Sequence, residues 1–209
     1  SDDMTVSVDE DKLASYVKEL AASHNTAGQD KTLTMTGGGT VTVPGGSYGW
    51  KIDQAKETAA LVSLIKNGEQ TSREPEYSQK AASHSGNDYG NTYVEINLTA
   101  QHLYFYANGK LLVESDFVSG NAAKGWSTPA GAYSITYKQR NATLKGQGYA
   151  TPVSYWMPFN GGIGLHDANW RKTFGGTIYK NGGSHGCVNL PPAVAKTIYE
   201  NISAGDPVL

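Results

Sequence analysis

Cysteine is nearly missing from this chain: among 209 residues the one thiol is Cys187. A lone cysteine excludes an internal disulfide and any multi-thiolate zinc site. It leaves the redox compartment open. Charge of one sign is also lacking, since 17 Lys and Arg stand against 19 Asp and Glu for a net charge of −2. Such a chain has no general basic field of the kind that nucleic acid or an anionic membrane requires. No apolar run reaches the ~20 residues that a bilayer-spanning helix needs. The chain opens Ser1-Asp2-Asp3-Met4, without initiator Met or leader. It reads as a processed fragment whose upstream targeting or anchoring segment would not be seen. What is present is a core-forming composition, 38% hydrophobic and 10% aromatic, which excludes wholesale disorder. The 25 glycines and 13 tyrosines favour turns and strands over a helical bundle.

Residues 1–88 read as one small α+β unit. Asp9 to Ala22 has Leu13, Tyr16, Val17 and Leu20 at helical spacing behind an Asp9 N-cap. Lys31–Thr36 and Thr40–Val43 alternate around Gly37-Gly38-Gly39, which predicts a hairpin. Asp53 caps a second helix, Gln54 to Lys66, that Asn67-Gly68 ends. The small polar stretch 78–91 reads as a linker. Residues 89–209 are β-rich. Strands are expected at Tyr93–Leu98, His102–Tyr106, Lys110–Val118, Ala132–Lys138, Val153–Phe159 and Gly162–Leu165. Asn108-Gly109 is a hairpin turn, because both residues accept positive φ. Pro192 to Ile202 is a C-terminal helix with proline in its first turn. The expected fold is thus an α+β N-terminal unit followed by a mostly-β, sandwich or barrel-like domain with a C-terminal helix.

The chemistry gathers at Ser184-His185-Gly186-Cys187-Val188-Asn189, with His166 upstream in Gly162-Ile163-Gly164-Leu165-His166-Asp167. A thiolate is the nucleophile, and a histidine within reach can take the thiol proton and return it to a leaving amine. Gly182, Gly183 and Gly186 let backbone approach a substrate and aim N–H groups at an oxyanion. Two other readings stand beside this one. Cys187 reads equally as a small buried hydrophobe. His166, His185 and Cys187 read as a three-ligand zinc site, since on a strand His185 and Cys187 would share a face.

These residues carry a resemblance. Ser184 to Asn189, preceded by His166, resembles the signature of the L,D-transpeptidases, whose catalytic domain is of the YkuD type. Ser127-Thr128-Pro129-Ala130-Gly131-Ala132-Tyr133, Tyr155-Trp156-Met157-Pro158-Phe159 and Gly162–His166 resemble further segments of that domain, in the same order. The likeness covers about Tyr93 to Leu209 and is closest to the enterococcal, Gram-positive members. Through Tyr48-Gly49-Trp50-Lys51-Ile52-Asp53, residues 1–88 resemble a peptidoglycan-binding-type domain, leaving 89–209 as the catalytic domain. Many relatives carry Arg where this chain has Asn189, so its polar contact to substrate differs.

The resemblance implies a cysteine acyltransferase that forms 3-3 peptidoglycan cross-links. A donor tetrapeptide would lose D-Ala to a thioester on Cys187, and an amine of a second stem would take the acyl group. It implies no cofactor and no metal. It implies stem peptides as partners, carbapenems as acylating inhibitors, and no nucleic acid or membrane contact by this fragment. The site of action would be the wall face of a bacterial membrane, with an anchor upstream. Cys187 is implied as nucleophile, His166 as base and His185 as the residue that orients or polarises the thiol region. Asp167, Ser184 and Gly186 would orient or form the oxyanion hole, while Tyr155, Trp156, Met157 and Asn189 would meet substrate. A carboxypeptidase using water as acceptor, and a non-catalytic wall-binding module with an inert Cys187, remain as alternatives.

Overall fold

The structure is a computed structural model, and it describes residues 7–85, 87–146 and 148–209. Residues 1–6 and 86, part of the stretches expected as first unit and linker, lie outside the described residues. In chain order the elements are α1 (Glu10–His24), β1 (Lys31–Thr34), β2 (Thr40–Val43), β3 (Lys51–Ile52), α2 (Gln54–Asn67) and β4 (Tyr77–Gln79). Then come β5 (Tyr93–Asn97), β6 (His102–Ala107), β7 (Lys110–Asp116), β8 (Tyr133–Ser134), β9 (Gln139–Gly146) and β10 (Tyr149–Asn160). The chain closes with β11 (Ile163–Asp167), α3 (Tyr179–Gly182), β12 (Val188–Leu190), α4 (Pro192–Asn201) and β13 (Pro207–Val208). Two compact units result, residues 1–27 with 49–81 and residues 28–48 with 82–209.

In the first unit each helix starts at an aspartate. The Asp9 carboxylate accepts the Lys12 N–H and the Asp53 carboxylate the Lys56 N–H, both at 3.1 Å. Each bond satisfies a donor that the first helical turn would leave orphaned. Gly68 ends α2 at φ +67° and returns its N–H to Ile65. The buried stripe of α1 is narrow, Val17 and Ala21 one turn apart, whereas Tyr16, expected on the same face, is 55% exposed. Buried Glu57 in α2 takes a two-point bond from the Arg73 guanidinium and another from the Glu76 N–H. That carboxylate pins the returning chain just before β4, which pairs antiparallel with β3.

The second unit begins with the β1–β2 hairpin in the register Lys31↔Val43 to Thr34↔Thr40. Buried polar bonds tie the hairpin to later chain: Lys31 Nζ meets Asp88 at 2.8 Å, and Thr36 donates its N–H and hydroxyl to the Glu95 carboxylate. The hairpin therefore packs with residues 82–209, a grouping that the sequence boundary between 88 and 89 does not anticipate. Two sheets carry the core. One has the order β7-β6-β5-β13-β8 and the other β12-β11-β10-β9. Leu103 and Phe105 of the first face Met157, Phe159, Leu165 and Val188 of the second, with Ala195 and Ile198 of α4 sealing the cluster. Along β6 Leu103, Phe105 and Ala107 point inward in strict alternation. Asn108 and Gly109, at φ +52° and +76°, make the tight turn into β7. The mostly-β unit with its C-terminal helix is the architecture expected.

Two strand expectations differ. Ala132–Lys138 yields only the two-residue β8, and the longest hairpin, β9–β10, starts well before Val153. The polar run Gln139–Gly146 buries only Ala142, so it carries no apolar alternation to read. In the second sheet β11 and β12 run parallel. Parallel neighbours require a crossover, and the crossover 168–187 carries the residues of interest. No helix among the described residues is long and apolar enough to cross a membrane.

Leu165 lies wholly in the core beneath His166, so Leu165→Ala is expected to cost about 2–5 kcal/mol in urea unfolding. Leu112→Ala, on an exposed position of β7, is expected to stay within about 0.5 kcal/mol.

Candidate active site

The register Leu165↔Val188 and His166↔Asn189 sets the end of β11 beside the start of β12. Cys187 therefore enters the sheet edge next to Gly164, whose N–H lies against the sulfur. A Cβ on Gly164 would stand 2.6 Å from Met157 O and from Pro158 Cα, so only glycine fits there. Cys187, His166, His185, Ser184, Asn189 and Trp156 line one cleft of about 460 Å³. A second cavity of about 380 Å³, walled by Leu33, Val41, Ile96, Leu98 and Phe159, shares no lining residue with it and holds no thiol or imidazole.

His166 is buried, and its Nδ1 lies 2.8 Å from the carbonyl oxygen of Asp167. A carbonyl only accepts, so Nδ1 carries the proton and Nε2 is bare in the neutral ring. The Asp167 carboxylate is engaged elsewhere, accepting the N–H groups of Ser154 and Tyr155 at 2.8 Å each. Burial pushes the His166 pKa below the ordinary imidazole value. Its neighbour Asp167 works the other way, and the Arg171 cation adds to the depression. The Cys187 thiol, half-buried, donates to Gly162 O at 3.6 Å. Burial pushes its pKa up, opposed by the Gly164 N–H. Both shifts favour the neutral form of their group.

The turn 184–187 is built by its small residues. Ser184 Oγ donates to Cys187 O at 2.5 Å and accepts the Gly186 N–H at 3.0 Å. Gly186 takes φ +121°, which a side chain rarely tolerates. Its carbonyl accepts Thr128 Oγ1–H at 2.6 Å, so the Thr128-Pro129 segment buttresses the turn from behind. The His185 ring is stacked between Trp126, at 4.3 Å, and Tyr149, at 4.4 Å. Asn189 has one carboxamide orientation that suits both neighbours. In it Nδ2 donates to His166 Nε2 at 3.0 Å, and Oδ1 accepts from Arg171 Nε at 2.8 Å and Nη2 at 3.3 Å.

Four sequence expectations need correction. Met157 is wholly in the core, and Tyr155 packs on Tyr199 and Arg140, so neither lines the cleft. Strand alternation is the reason, because β10 presents Trp156 to the cleft and its two neighbours to the other side. The Gly186 N–H is taken by Ser184 Oγ and is not aimed at an oxyanion. His185 and Gly186 form a bend and Cys187 lies just before β12, so the strand spacing on which the zinc set rests is absent. Among the described residues no three His, Cys, Asp or Glu side chains are grouped to hold a metal ion. Sequence reasoning gave no role to Trp126 or Tyr149, and left Arg171, like Trp170, between the rim of the pocket and a solvated loop. None follows a spacing rule, since Arg171 and Tyr149 line the cleft from a loop and a hairpin end, and Trp126 stacks on His185 from a loop.

Residues 91–209 match the family model described as the L,D-transpeptidase catalytic domain, and residues 3–73 match one described as a peptidoglycan binding domain. No curated protein sequence matches the chain. Among solved structures, a cysteine-to-serine mutant of the Enterococcus faecium L,D-transpeptidase is 37% identical, with a TM-score of 0.80 over all of this chain and 85% of that one. The Ldtfm–avibactam carbamoyl enzyme is 38% identical, with a TM-score of 0.81 over all of this chain and 83% of that one. The catalytic domain of the E. faecium enzyme acylated by ertapenem is 43% identical, covering 57% of this chain and 95% of that one at a TM-score of 0.52.

A thiol that burial keeps protonated must ionise late. Iodoacetamide labelling of Cys187 in the free protein is expected to rise with pH through a midpoint above the ~8.5 of a free thiol. A midpoint well below that value would reveal a thiolate–imidazolium pair in the resting site.

Proposed function

Because the chain belongs to the L,D-transpeptidase family, we propose that it is a cysteine acyltransferase that cross-links peptidoglycan stem peptides 3-3 through Cys187. The observation that carries the reading is the placement of a half-buried thiol in one cleft with an imidazole whose proton is parked on Nδ1 by the Asp167 carbonyl. That tautomer leaves the Nε2 lone pair, held at rest by the Asn189 N–H, as the acceptor a general base needs.

In the first half-reaction Cys187 Sγ attacks the carbonyl carbon of the third, L-configured stem residue, and its proton passes to His166 Nε2. The bond to D-Ala breaks, His166 returns the proton to the departing amine, and a thioester remains. In the second half-reaction an acceptor amine attacks the thioester and yields its proton to His166. The new amide leaves, and Cys187 regains the proton. Atoms and charge balance over the two steps, which is ping-pong acyl transfer. Trp156 and Trp170, with ring centroids 6.0 Å from His166, flank the imidazole and limit water around it. Ser184 and Thr128 hold the backbone that carries the sulfur. His185, held between two aromatic rings, fixes the wall of the cleft beside the turn.

Carbapenems are strained acyl donors, and the solved relative acylated by ertapenem supports the same adduct on Cys187 here. The family match at residues 3–73 supports a wall-binding role for the first unit and action at the cell wall.

Mass spectrometry of the protein with a disaccharide-tetrapeptide tests the reading. The expected products are free D-Ala and a cross-linked dimer, both absent with Cys187→Ala. His166→Ala is expected to lower turnover by about 10²–10⁴. D-Ala without dimer would point to a carboxypeptidase, and near-normal turnover in His166→Ala would remove the base assignment.

A further inference from the structure

We propose that Arg171 is a positioning residue for His166, holding the Asn189 carboxamide in the one orientation that keeps Nε2 free of a proton. The inference rests on the reading of His166 as the base. It begins with an ambiguity. A buried carboxamide beside an imidazole can point either way. With Nδ2 toward the ring it donates to a bare Nε2 and favours the neutral form. With Oδ1 toward the ring it accepts from a protonated Nε2 and favours the imidazolium. Nothing in Asn189 itself chooses.

Arg171 chooses. A guanidinium has donors only, and two of them, Nε and Nη2, reach the carboxamide at 2.8 and 3.3 Å, so Oδ1 must face Arg171. Nδ2 is then left for His166 Nε2 at 3.0 Å. Arg171 is fixed in its turn. Its Nη2 donates to Gly182 O at 2.9 Å, and its backbone N–H to Ala168 O at 3.1 Å. It thus bridges both ends of the crossover between β11 and β12. Asn189 has little freedom, because its backbone exchanges both hydrogen bonds with Val118 and its side chain is buried. The ring therefore lies between two fixed partners, the Asp167 carbonyl on Nδ1 and the Asn189 amide on Nε2.

Two consequences follow for acyl transfer. The ring stays neutral at pH values where a free imidazole would begin to protonate, and because Nε2 has a single lone pair the incoming thiol proton must displace the Asn189 N–H from it. Once Nε2 takes the thiol proton, its N–H faces the Asn189 N–H, donor against donor. The imidazolium is disfavoured where it stands, and the proton is pressed onward to the departing amine. The charged and titratable groups around the ring are Asp167, Arg171 and Cys187, with His185, Tyr149 and Lys145 lining the same cleft.

The test reads the imidazole directly. Histidine labelled with ¹⁵N is followed by NMR across pH in the wild type, Arg171→Met, Asn189→Ala and the double variant. The wild type is expected to show the Nδ1–H tautomer. Arg171→Met is expected to raise the His166 midpoint by about one pH unit, since both a cation and the amide lock are removed. In the Asn189→Ala background the same change is expected to move it by less than half as much. Arg171→Lys, which keeps the charge but offers one point in place of a fork, is expected to move it less than Arg171→Met does. This variant also serves if Arg171→Met does not fold. The acid limb of the acylation rate by a carbapenem is expected to follow these midpoints. An unmoved midpoint in folded Arg171→Met, or equal shifts with and without Asn189, would overturn the proposal. The titration needs no turnover, so its failure is distinct from that of the base assignment, which His166→Ala tests.

Discussion

The parallel pairing of β11 with β12 is the constraint on which the site depends. Alone among the pairings of its sheet it cannot be closed by a tight turn. The chain must leave the sheet after Asp167 and return at Val188, and the crossover in between is free to carry function while its two ends are held by backbone hydrogen bonds. The register does the rest. Leu165 opposite Val188 sends one residue into the core on each strand, and His166 opposite Asn189 puts their side chains on the cleft side. Cys187 then stands just before the first paired residue of β12. A slip of one residue would turn His166 into the core and Leu165 into the cleft.

A second constraint is dielectric. The site is roofed by aromatic rings and floored by the sandwich core, so a lone charge inside it is costly. Thiol and imidazole respond in opposite directions, the one pushed up and the other down, each toward its neutral form. This differs from a cysteine site where an electropositive setting holds a standing thiolate. In the proposed mechanism charge separation coincides with attack on the acyl donor, whose developing oxyanion and leaving amine can accept it.

Much of this was legible in the sequence because its signals are local. Asp9 and Asp53 announced both N-caps, Asn108-Gly109 announced its turn, and the order of the motifs announced the family. Cys187 stands out as the one thiol of the chain, and His166 among five histidines only through the motif it shares with the family. The failures share one cause. Tyr155 and Met157 are implied as walls by the resemblance of 155–159 to a substrate-side strand, yet a strand buries alternate residues and of the three only Trp156 faces the cleft. The β9 strand was missed because its outer position buries one side chain in eight. Arg171, Trp126 and Tyr149 were left unassigned because their partners lie far along the chain, at Asn189 and His185. Residue type marks chemistry, whereas pairing across a crossover is set by the fold.

The Ser184-His185-Gly186-Cys187 run shows how a short motif divides its labour. Only the sulfur is proposed to touch reacting atoms. Ser184 spends its hydroxyl on Cys187 O and the Gly186 N–H, closing the turn on itself. Gly186 supplies a backbone angle that other residues resist, and its carbonyl anchors the turn to Thr128. His185 fills the gap between Trp126 and Tyr149, tying the turn to the 121–131 loop on one side and to the end of the β9–β10 hairpin on the other. Three of the four residues thus shape backbone and packing so that the fourth can be presented at a sheet edge. A nucleophile on a loop gains the precision of a strand only if the loop is over-determined in this way. The motif is accordingly read best as a geometry, with the thiol as its single reactive element.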